Sequence, residues 1–242
     1  FQLLDTEPTI VSPRTPRLPR STTGAIEFDH VWFAYKGEEY VLRDISFRVN
    51  PGEKIAVVGA TGSGKTSLIK LLSRFYDVSR GHIRVDGIDV REWDLAQLRR
   101  HIGVVLQDVF LFSGDVASNI SLGRPEVTPA IMEEAARRVN AWPFIRALPG
   151  GLHERIRERG TNLSTGQRQL LAFARALAYD PTILVLDEAT SSVDTETEML
   201  IQDALLTLMR DRTSVVIAHR LSTIEHSDRI VVLHHGVVRE IG

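Results

Sequence analysis

The feature that most constrains this chain is a run of eight residues, Gly59 to Thr66, with the spacing G-x-x-x-x-G-K-T. An apolar stretch, Lys54 to Val58, precedes the run, and apolar residues recur at helical spacing after it, from Ser67 to Phe75. A strand, a glycine-rich turn and a helix in this order place backbone N–H groups and a helix N-terminus around one point, which favours a bound phosphate. Lys65 would reach the phosphate oxygens, and the Thr66 hydroxyl would bind Mg²⁺.

Further apolar runs indicate an α/β fold around this loop. Thr182 to Leu186, Ser214 to Ala218 and Arg229 to Leu233 read as buried strands, and a helix is predicted at Glu196 to Met209. Buried strands that alternate with helices favour a mostly parallel sheet covered on both faces. Short β-type runs between residues 26 and 49, separated by turn residues, predict a small antiparallel β subdomain.

The remaining segments divide the chain. Residues 108–179 have few strand signals and several helical ones, so we expect a helical insertion there. Four of the ten prolines lie in the first 19 residues, which indicates an extended linker over residues 1–25. The compact domain should then occupy residues 26–242. Because the chain lacks a start Met, we expect it to be a piece of a longer protein.

Composition excludes several classes of function. The net charge is −2, from 29 basic and 31 acidic side chains, so no electrostatic argument favours a nucleic-acid partner. Cys is absent, so neither a disulfide framework nor a thiolate metal site is possible, and an intracellular protein is expected. The longest apolar runs reach only four or five residues, too short to span a bilayer.

An acidic pair follows the strand predicted at Thr182 to Leu186. Adjacent strand residues point to opposite sides, so Asp187 and Glu188 cannot perform the same task. At the carboxyl end of a buried strand, Asp187 would join the shell of a metal ion and Glu188 would face an attacking water. An ordinary acidic strand end is the alternative, and the phosphate loop makes it the weaker one.

A third motif is Ser164-Thr165-Gly166-Gln167, which precedes a run of apolar residues at helical spacing. Ser164 with Gln167 three residues later predicts a capping box at a helix start. The same helix N-terminus could also bind a phosphate. A second anion site beside a complete phosphate loop suggests a nucleotide held between two subunits.

Together these motifs resemble the nucleotide-binding domain of an ATP-binding cassette (ABC) transporter of the exporter branch, which handles drugs or lipids. The resemblance covers residues 26–242 and implies that ATP and Mg²⁺ bind here. Tyr35 is similar to the aromatic residue that stacks on adenine, and His219 to the switch histidine. The implied ATP-binding residues are Tyr35, Gly59, Ala60, Thr61, Gly62, Ser63, Gly64, Lys65, Thr66, Ser67, Ser164, Thr165, Gly166 and Gln167. The implied metal-binding residues are Thr66, Gln107 and Asp187, and the implied catalytic residues are Glu188, His219, Gln107 and Lys65.

The same resemblance implies partners and a location. A second nucleotide-binding domain, identical or different, would pair head to tail, and Ser191 to Asp194 would contact it. A transmembrane domain would precede the linker, and the ATPase would work at the cytoplasmic face of the cell membrane. Glu158, in Ile156 to Gly160, would touch that domain.

Two positions depart from the family pattern. Thr165 replaces the first of two signature glycines, and its β-branched side chain could restrict the backbone or crowd a phosphate. Arg157 stands where glycine is usual. Thr165 therefore leaves open a regulatory cassette that closes on ATP with little turnover. A soluble ABC-type ATPase is the other alternative, although heptads and a second phosphate loop are both missing.

Overall fold

The computed structural model describes residues 8–19, 21–187, 194–218 and 221–242. They divide into two compact units, one within Phe1–Ile102 and Thr213–Gly242 and the other within Gly103–Arg212. The strands are β1 (Ile26–Ala34), β2 (Tyr40–Val49), β3 (Lys54–Val58), β4 (Arg80–Val85), β5 (Ile88–Asp89), β6 (Ile102–Val105), β7 (Gly114–Asp115), β8 (Arg155–Ile156), β9 (Ile183–Asp187), β10 (Thr213–Ile217), β11 (Arg229–His234) and β12 (Val237–Ile241). The helices are α1 (Lys65–Leu72), α2 (Leu95–His101), α3 (Val116–Ser121), α4 (Pro129–Arg138), α5 (Trp142–Ala147), α6 (Thr165–Ala178), α7 (Thr195–Met209) and α8 (Leu221–Glu225). Two short 3₁₀ turns cover Gly151–His153 and Glu158–Gly160.

The first unit contains the small antiparallel sheet, with strand order β2-β1-β4-β5. Alternate residues of β1 are buried, among them Ile26, Phe28 and Phe33, so one face of the sheet packs inward. The pairing of β1 with β2 shifts between Phe28 and Val31, next to the left-handed His30 at φ 47°. This irregularity makes one continuous strand look like two separate runs in the sequence.

A parallel arrangement of strands carries the phosphate loop in the same unit. Strand β3 lies between β10 and β11 and is parallel to both, and β12 adds an antiparallel edge. Ile55, Ala56 and Val57 of β3 are fully buried, as expected for a central strand of a parallel sheet that is covered on both faces. The carboxyl end of β3 therefore leads directly into the loop and then into α1. The predicted α/β class, with a mostly parallel sheet and a small antiparallel one, is confirmed.

The chain before β1 lies along the first unit and makes several hydrogen bonds with it. Arg74 donates from Nη2 to the Val11 carbonyl at 3.1 Å, and Ser12 Oγ donates to Asp94 at 3.1 Å. The Arg17 guanidinium pairs with Glu92 at 2.7 Å. Farther along, Asp86 Oδ1 accepts hydrogen bonds from the backbone N–H groups of residues 23–25. Residues 11, 12, 17 and 23–25 of the predicted linker are thus hydrogen-bonded to other parts of the first unit.

The second unit is built around α6, which packs against α3, α4 and α7. The buried side of α6 contains Leu170, Leu171, Ala174 and Leu177, as expected for an amphipathic helix. Strands β9 and β6 are neighbours, and the two-residue strands β7 and β8 pair with each other. Helices dominate the segment predicted as an insertion, and the boundaries at residues 25, 108 and 179 stay predictions. Within the described ranges, no helix has both the length and the apolar character that a membrane span requires.

Candidate functional site

The loop between β3 and α1 requires glycine at two positions for steric reasons. A side chain at Gly59, where φ is 154°, would collide with the carbonyl oxygen of Leu233. At Gly64, where φ is 105°, a Cβ would lie 2.5 Å from the Leu42 side chain. Gly62 instead faces open space, with no atom within 4 Å of its ideal Cβ in the part of the chain that the structure describes. The loop is therefore packed from behind and accessible at its centre.

Polar groups of the same loop fit a bound phosphate. Lys65 is 8% exposed, and its Nζ donates to the carbonyl oxygens of Gly59 at 2.7 Å and Ala60 at 3.0 Å. Ser63 is buried, and its Oγ has no hydrogen-bond partner among the described residues. A cation and an unused hydroxyl inside a loop of backbone N–H groups are the groups that a triphosphate would engage.

The start of α1 is also suited to an anion. Its N-cap, Gly64, offers no side-chain hydrogen bond, and the first turn holds no acidic side chain within the described chain. The N-terminal amides of the helix are thus available, and its dipole favours negative charge. Thr66, in the first turn of α1, is exposed. The loop residues predicted from the sequence thus lie together in one place.

Tyr35 directly follows β1 and is 43% exposed. Its hydroxyl shares a hydrogen bond of 3.0 Å with Ser67 Oγ on α1. The ring lies edge-on to Phe33 and Tyr76, and the Lys70 ammonium lies 5.6 Å from its centroid. The structure therefore brings Tyr35 to the phosphate-loop helix. Lys70 and Tyr76 were not singled out in the sequence, where only the i, i+3 spacing of Ser67 and Lys70 pointed to a shared helix face.

In the second unit, Gln107 and Asp187 line one small cleft of about 20 Å³. Gln107 is exposed, and Asp187 is half-buried at the end of β9. Leu186 and Phe173 supply apolar walls. The predicted residues Glu188 and His219, and Ser191 to Val193, lie outside the described residues.

The predicted capping box at the start of α6 is confirmed. Ser164 Oγ accepts from the Gln167 backbone N–H at 3.2 Å, and Gln167 Oε1 accepts from the Ser164 N–H at 2.9 Å. Thr165 is exposed, and its hydroxyl accepts from Arg168 at 3.0 Å. The β-branched residue therefore leaves the helix start intact. Gly166 is the position without room, because a Cβ there would collide with Thr197 Cγ2.

The second departure from the family pattern is equally well tolerated. Arg157 has an extended backbone, with φ −71° and ψ 164°, and its N–H donates to Asn162 Oδ1 at 3.0 Å. Arg159 and Gly160 take the left-handed conformations that follow, at φ 55° and 69°. Glycine is thus not needed at position 157 for the backbone.

Two further sets of polar groups lie at the ends of other elements, and the predicted contact of Asp194 with a second domain stays a prediction. Asp194 caps α7 by accepting from the Thr197 N–H at 2.9 Å and hydroxyl at 2.7 Å, and these bonds lower the pKa of Asp194. His235 sits at φ 49° in the tight turn with Gly236 between β11 and β12, and His234 is the last residue of β11. No group of three or more His, Asp or Glu side chains in the described ranges could hold a metal ion.

Comparison with known proteins identifies the family to which this chain belongs. The profile of the family described as ABC transporter matches residues 42–191. The chain belongs to the ABC transporter family. It is an ATPase domain of this family and binds ATP, which confirms the resemblance stated from the motifs.

Two of the similar proteins are named as a lipid flippase and a probable multidrug resistance transporter. An ATP-dependent lipid A-core flippase from Alkalilimnicola ehrlichii is 52% identical over 244 residues, covering 100% of this chain and 41% of the flippase. A probable multidrug resistance ABC transporter ATP-binding/permease protein, YheH of Bacillus subtilis, is 50% identical over 219 residues, covering 90% of this chain and 32% of YheH. The chain thus spans about two fifths or less of the curated relatives it matches.

A solved structure agrees with the fold. The structure of a bacterial Atm1-family ABC exporter with ATP bound superposes with a TM-score of 0.91 at 39% sequence identity. The match covers 100% of this ABC domain and 42% of the exporter chain. The predicted P-loop NTPase fold is therefore confirmed, and the soluble-ATPase alternative is not favoured by relatives that are named as permeases.

Proposed function

We propose that this ABC domain binds Mg-ATP and hydrolyses it in a head-to-tail dimer, and that a transmembrane domain of the same transporter uses the cycle for export. The observation that carries the proposal is the loop from Gly59 to Thr66, with Lys65 folded over its carbonyl groups. ATP bound there supplies the phosphoanhydride bond whose cleavage drives the cycle. Relatives named as ATP-binding/permease proteins support the membrane partner. The location that we propose is the cytoplasmic face of that membrane.

Each residue has a defined task in this proposal. Lys65 and the α1 amides hold the phosphates and offset their charge. Thr66, Gln107 and Asp187 would hold Mg²⁺, since hydroxyl, amide and carboxylate oxygens are the ligands this ion takes. Ser164 to Gln167 of the opposite subunit would close the site, with the N-terminus of α6 facing the phosphate.

Two residues outside the described ranges complete the proposed mechanism. Glu188 would orient and deprotonate the attacking water. His219 would contact the γ-phosphate. These two roles rest on the position of each residue within motifs similar to those of the family. Tyr35, which the structure describes, would stack on the adenine base.

The test uses the 242-residue chain and its Glu188→Gln variant. Glutamine keeps the size of the side chain but cannot accept the proton, so hydrolysis should fall by at least ~100-fold while ATP binding persists. The variant should sediment as a dimer with Mg-ATP and as a monomer without it. Adding Ser164→Arg should abolish that dimer, because a bulky cation would block the α6 N-terminus.

The controls separate catalysis from assembly. Lys54→Ala, at the far end of β3 from the loop, should retain wild-type turnover and dimerisation. Steady-state turnover by the unmodified chain distinguishes an enzyme from a regulatory cassette. A Glu188→Gln protein that stays monomeric at high protein and ATP concentrations would contradict a homodimer and require a different partner subunit.

A further inference from the structure

Tyr35, the residue after β1, is held in place mainly by residues outside that strand. The aromatic contact within β1 is with Phe33, which is 3% exposed and anchors the ring edge-on at 4.7 Å between centroids. The other contacts come from α1 and the turn after it, namely Ser67, Lys70 and Tyr76. These contacts tie Tyr35 to α1 and to the turn that follows it.

Lys70 and Ser67 reach Tyr35 from one face of α1. They are separated by three positions on the helix and so lie side by side on its surface. Ser67 bonds the hydroxyl at one end of the Tyr35 ring, and the Lys70 ammonium lies over the ring at 5.6 Å from its centroid. A cation at this distance is attracted to the electron-rich face of the ring.

Tyr76 provides a second aromatic contact. Its ring is perpendicular to that of Tyr35, with an interplanar angle of 90° and centroids 5.1 Å apart, which is a favourable edge-to-face geometry. The turn that presents Tyr76 is itself fixed, because the Phe75 N–H donates to the Lys70 carbonyl at 2.8 Å and Arg74 takes a left-handed φ of 50°. Tyr76 is 41% exposed, so the contact with Tyr35 is made at the surface and not in the core.

We infer that Lys70 and Tyr76 are positioning residues for the adenine ring of ATP, which they serve by fixing Tyr35. The inference rests on the proposed stacking of adenine on Tyr35. Lys70 and Tyr76 belong to α1 and the following turn. They therefore attach the base platform, which is the Tyr35 ring on which adenine would stack, to the same helix that would bind the phosphates. The distance between platform and phosphate loop is thereby set before the nucleotide arrives, which lowers the ordering cost of binding.

The experiment measures the binding of two probes by calorimetry, Mg-ATP and Mg-tripolyphosphate, to the 242-residue chain. Tripolyphosphate fills the phosphate loop but has no base. Tyr76→Ala should weaken ATP binding about three- to tenfold, the size of one aromatic pair, and leave tripolyphosphate binding within about twofold. Lys70→Met, which keeps the aliphatic stem, should weaken ATP binding about two- to fivefold with the same split.

Matched variants make the result specific. Tyr76→Phe keeps the ring and should bind ATP as the wild type does, and Lys54→Met changes the net charge equally without contact to Tyr35. Tyr76→Leu keeps apolar volume and replaces the alanine variant if that protein unfolds. Wild-type ATP affinity in Tyr76→Ala, while Tyr35→Ala binds weakly, would overturn the inference. Equal losses for ATP and tripolyphosphate would overturn it too, since the residues would then act on the phosphate loop. Wild-type affinity in Tyr35→Ala would instead refute the adenine platform itself.

Discussion

The contact between Gly166 and Thr197 gives a quantitative prediction for the start of α6. In Gly166→Ala the new Cβ would overlap Thr197 Cγ2 and lie 3.6 Å from Thr197 Cβ and 3.7 Å from Ile201 Cδ1. Alanine is favoured over glycine within a helix by about 1 kcal/mol, but overpacking a fixed contact costs about 1–3 kcal/mol. The clash is with a β-branched side chain whose rotamer is held by Asp194, so we expect the cost to dominate.

The magnitude follows from a double-mutant cycle. Thr197→Ser removes Cγ2 and retains the hydroxyl that donates to Asp194 at 2.7 Å. Gly166→Ala alone should lower the free energy of unfolding by about 1–2 kcal/mol, and in the Thr197→Ser background it should be neutral or stabilising. Urea unfolding of the wild type, the two single variants and the double variant measures the effect of Gly166→Ala in each background. Thr165→Ala, at an exposed neighbouring position, serves as the control and should change stability by less than about 1 kcal/mol.

Two results would refute this reasoning. One is a Gly166→Ala protein as stable as the wild type, which would show that α6 and α7 separate readily at this point. The other is an equal loss in both backgrounds, which would place the strain in the backbone and not at Thr197. The signature glycine would then be needed for a reason other than helix packing.

The remaining predictions concern the phosphate loop and the antiparallel sheet. Lys65→Ala should weaken ATP binding at least about tenfold, because a charge-assisted hydrogen bond is lost, and wild-type affinity by calorimetry would contradict the phosphate assignment. Burial alone would raise the pKa of Asp89, but hydrogen bonds from Arg91 and His82 outweigh it and lower the pKa from 3.8 to about 2. Since the folded-state pKa is the lower one, the stabilisation is complete above pH 3.8 and is lost as the pH falls through about 2. Asp89→Asn should therefore lower the free energy of unfolding by about 2 kcal/mol at pH 7. In urea titrations this difference from the wild type should shrink below about pH 4. A difference that does not vary with pH would point to packing instead of charge.

Strongly patterned elements were predictable from the sequence. Strand β3 begins and ends at the predicted residues, because a short apolar run bounded by a turn and a glycine-rich loop has one way to be buried. The helix after the loop was predicted at Ser67 to Phe75 and lies at Lys65–Leu72. It ends earlier because Arg74 adopts a left-handed conformation. An arginine in the sequence does not indicate that conformation.

Other features depend on contacts that sequence spacing does not encode. Strand β4 starts with polar residues and β12 is half-exposed, so neither shows a clear apolar pattern, and both form because they pair with β1 and β11. The contact of Tyr35 with Tyr76 joins positions 41 residues apart through the turn after α1. The reason that position 166 must be glycine lies on another helix, and no local pattern reveals it.

The hydrogen bonds along residues 11–25 determine where a mechanical load on the chain would enter the ABC domain. Tension applied at residue 8 would reach β1 only after several hydrogen bonds had broken, and the first of these joins Arg74 to the Val11 carbonyl. Arg74 lies two residues beyond the end of the phosphate-loop helix and is almost completely buried. A pull from upstream would therefore act beside α1 first and on the antiparallel sheet last. A displacement of Val11 would therefore be transmitted to Arg74, next to the helix that follows the glycine-rich loop.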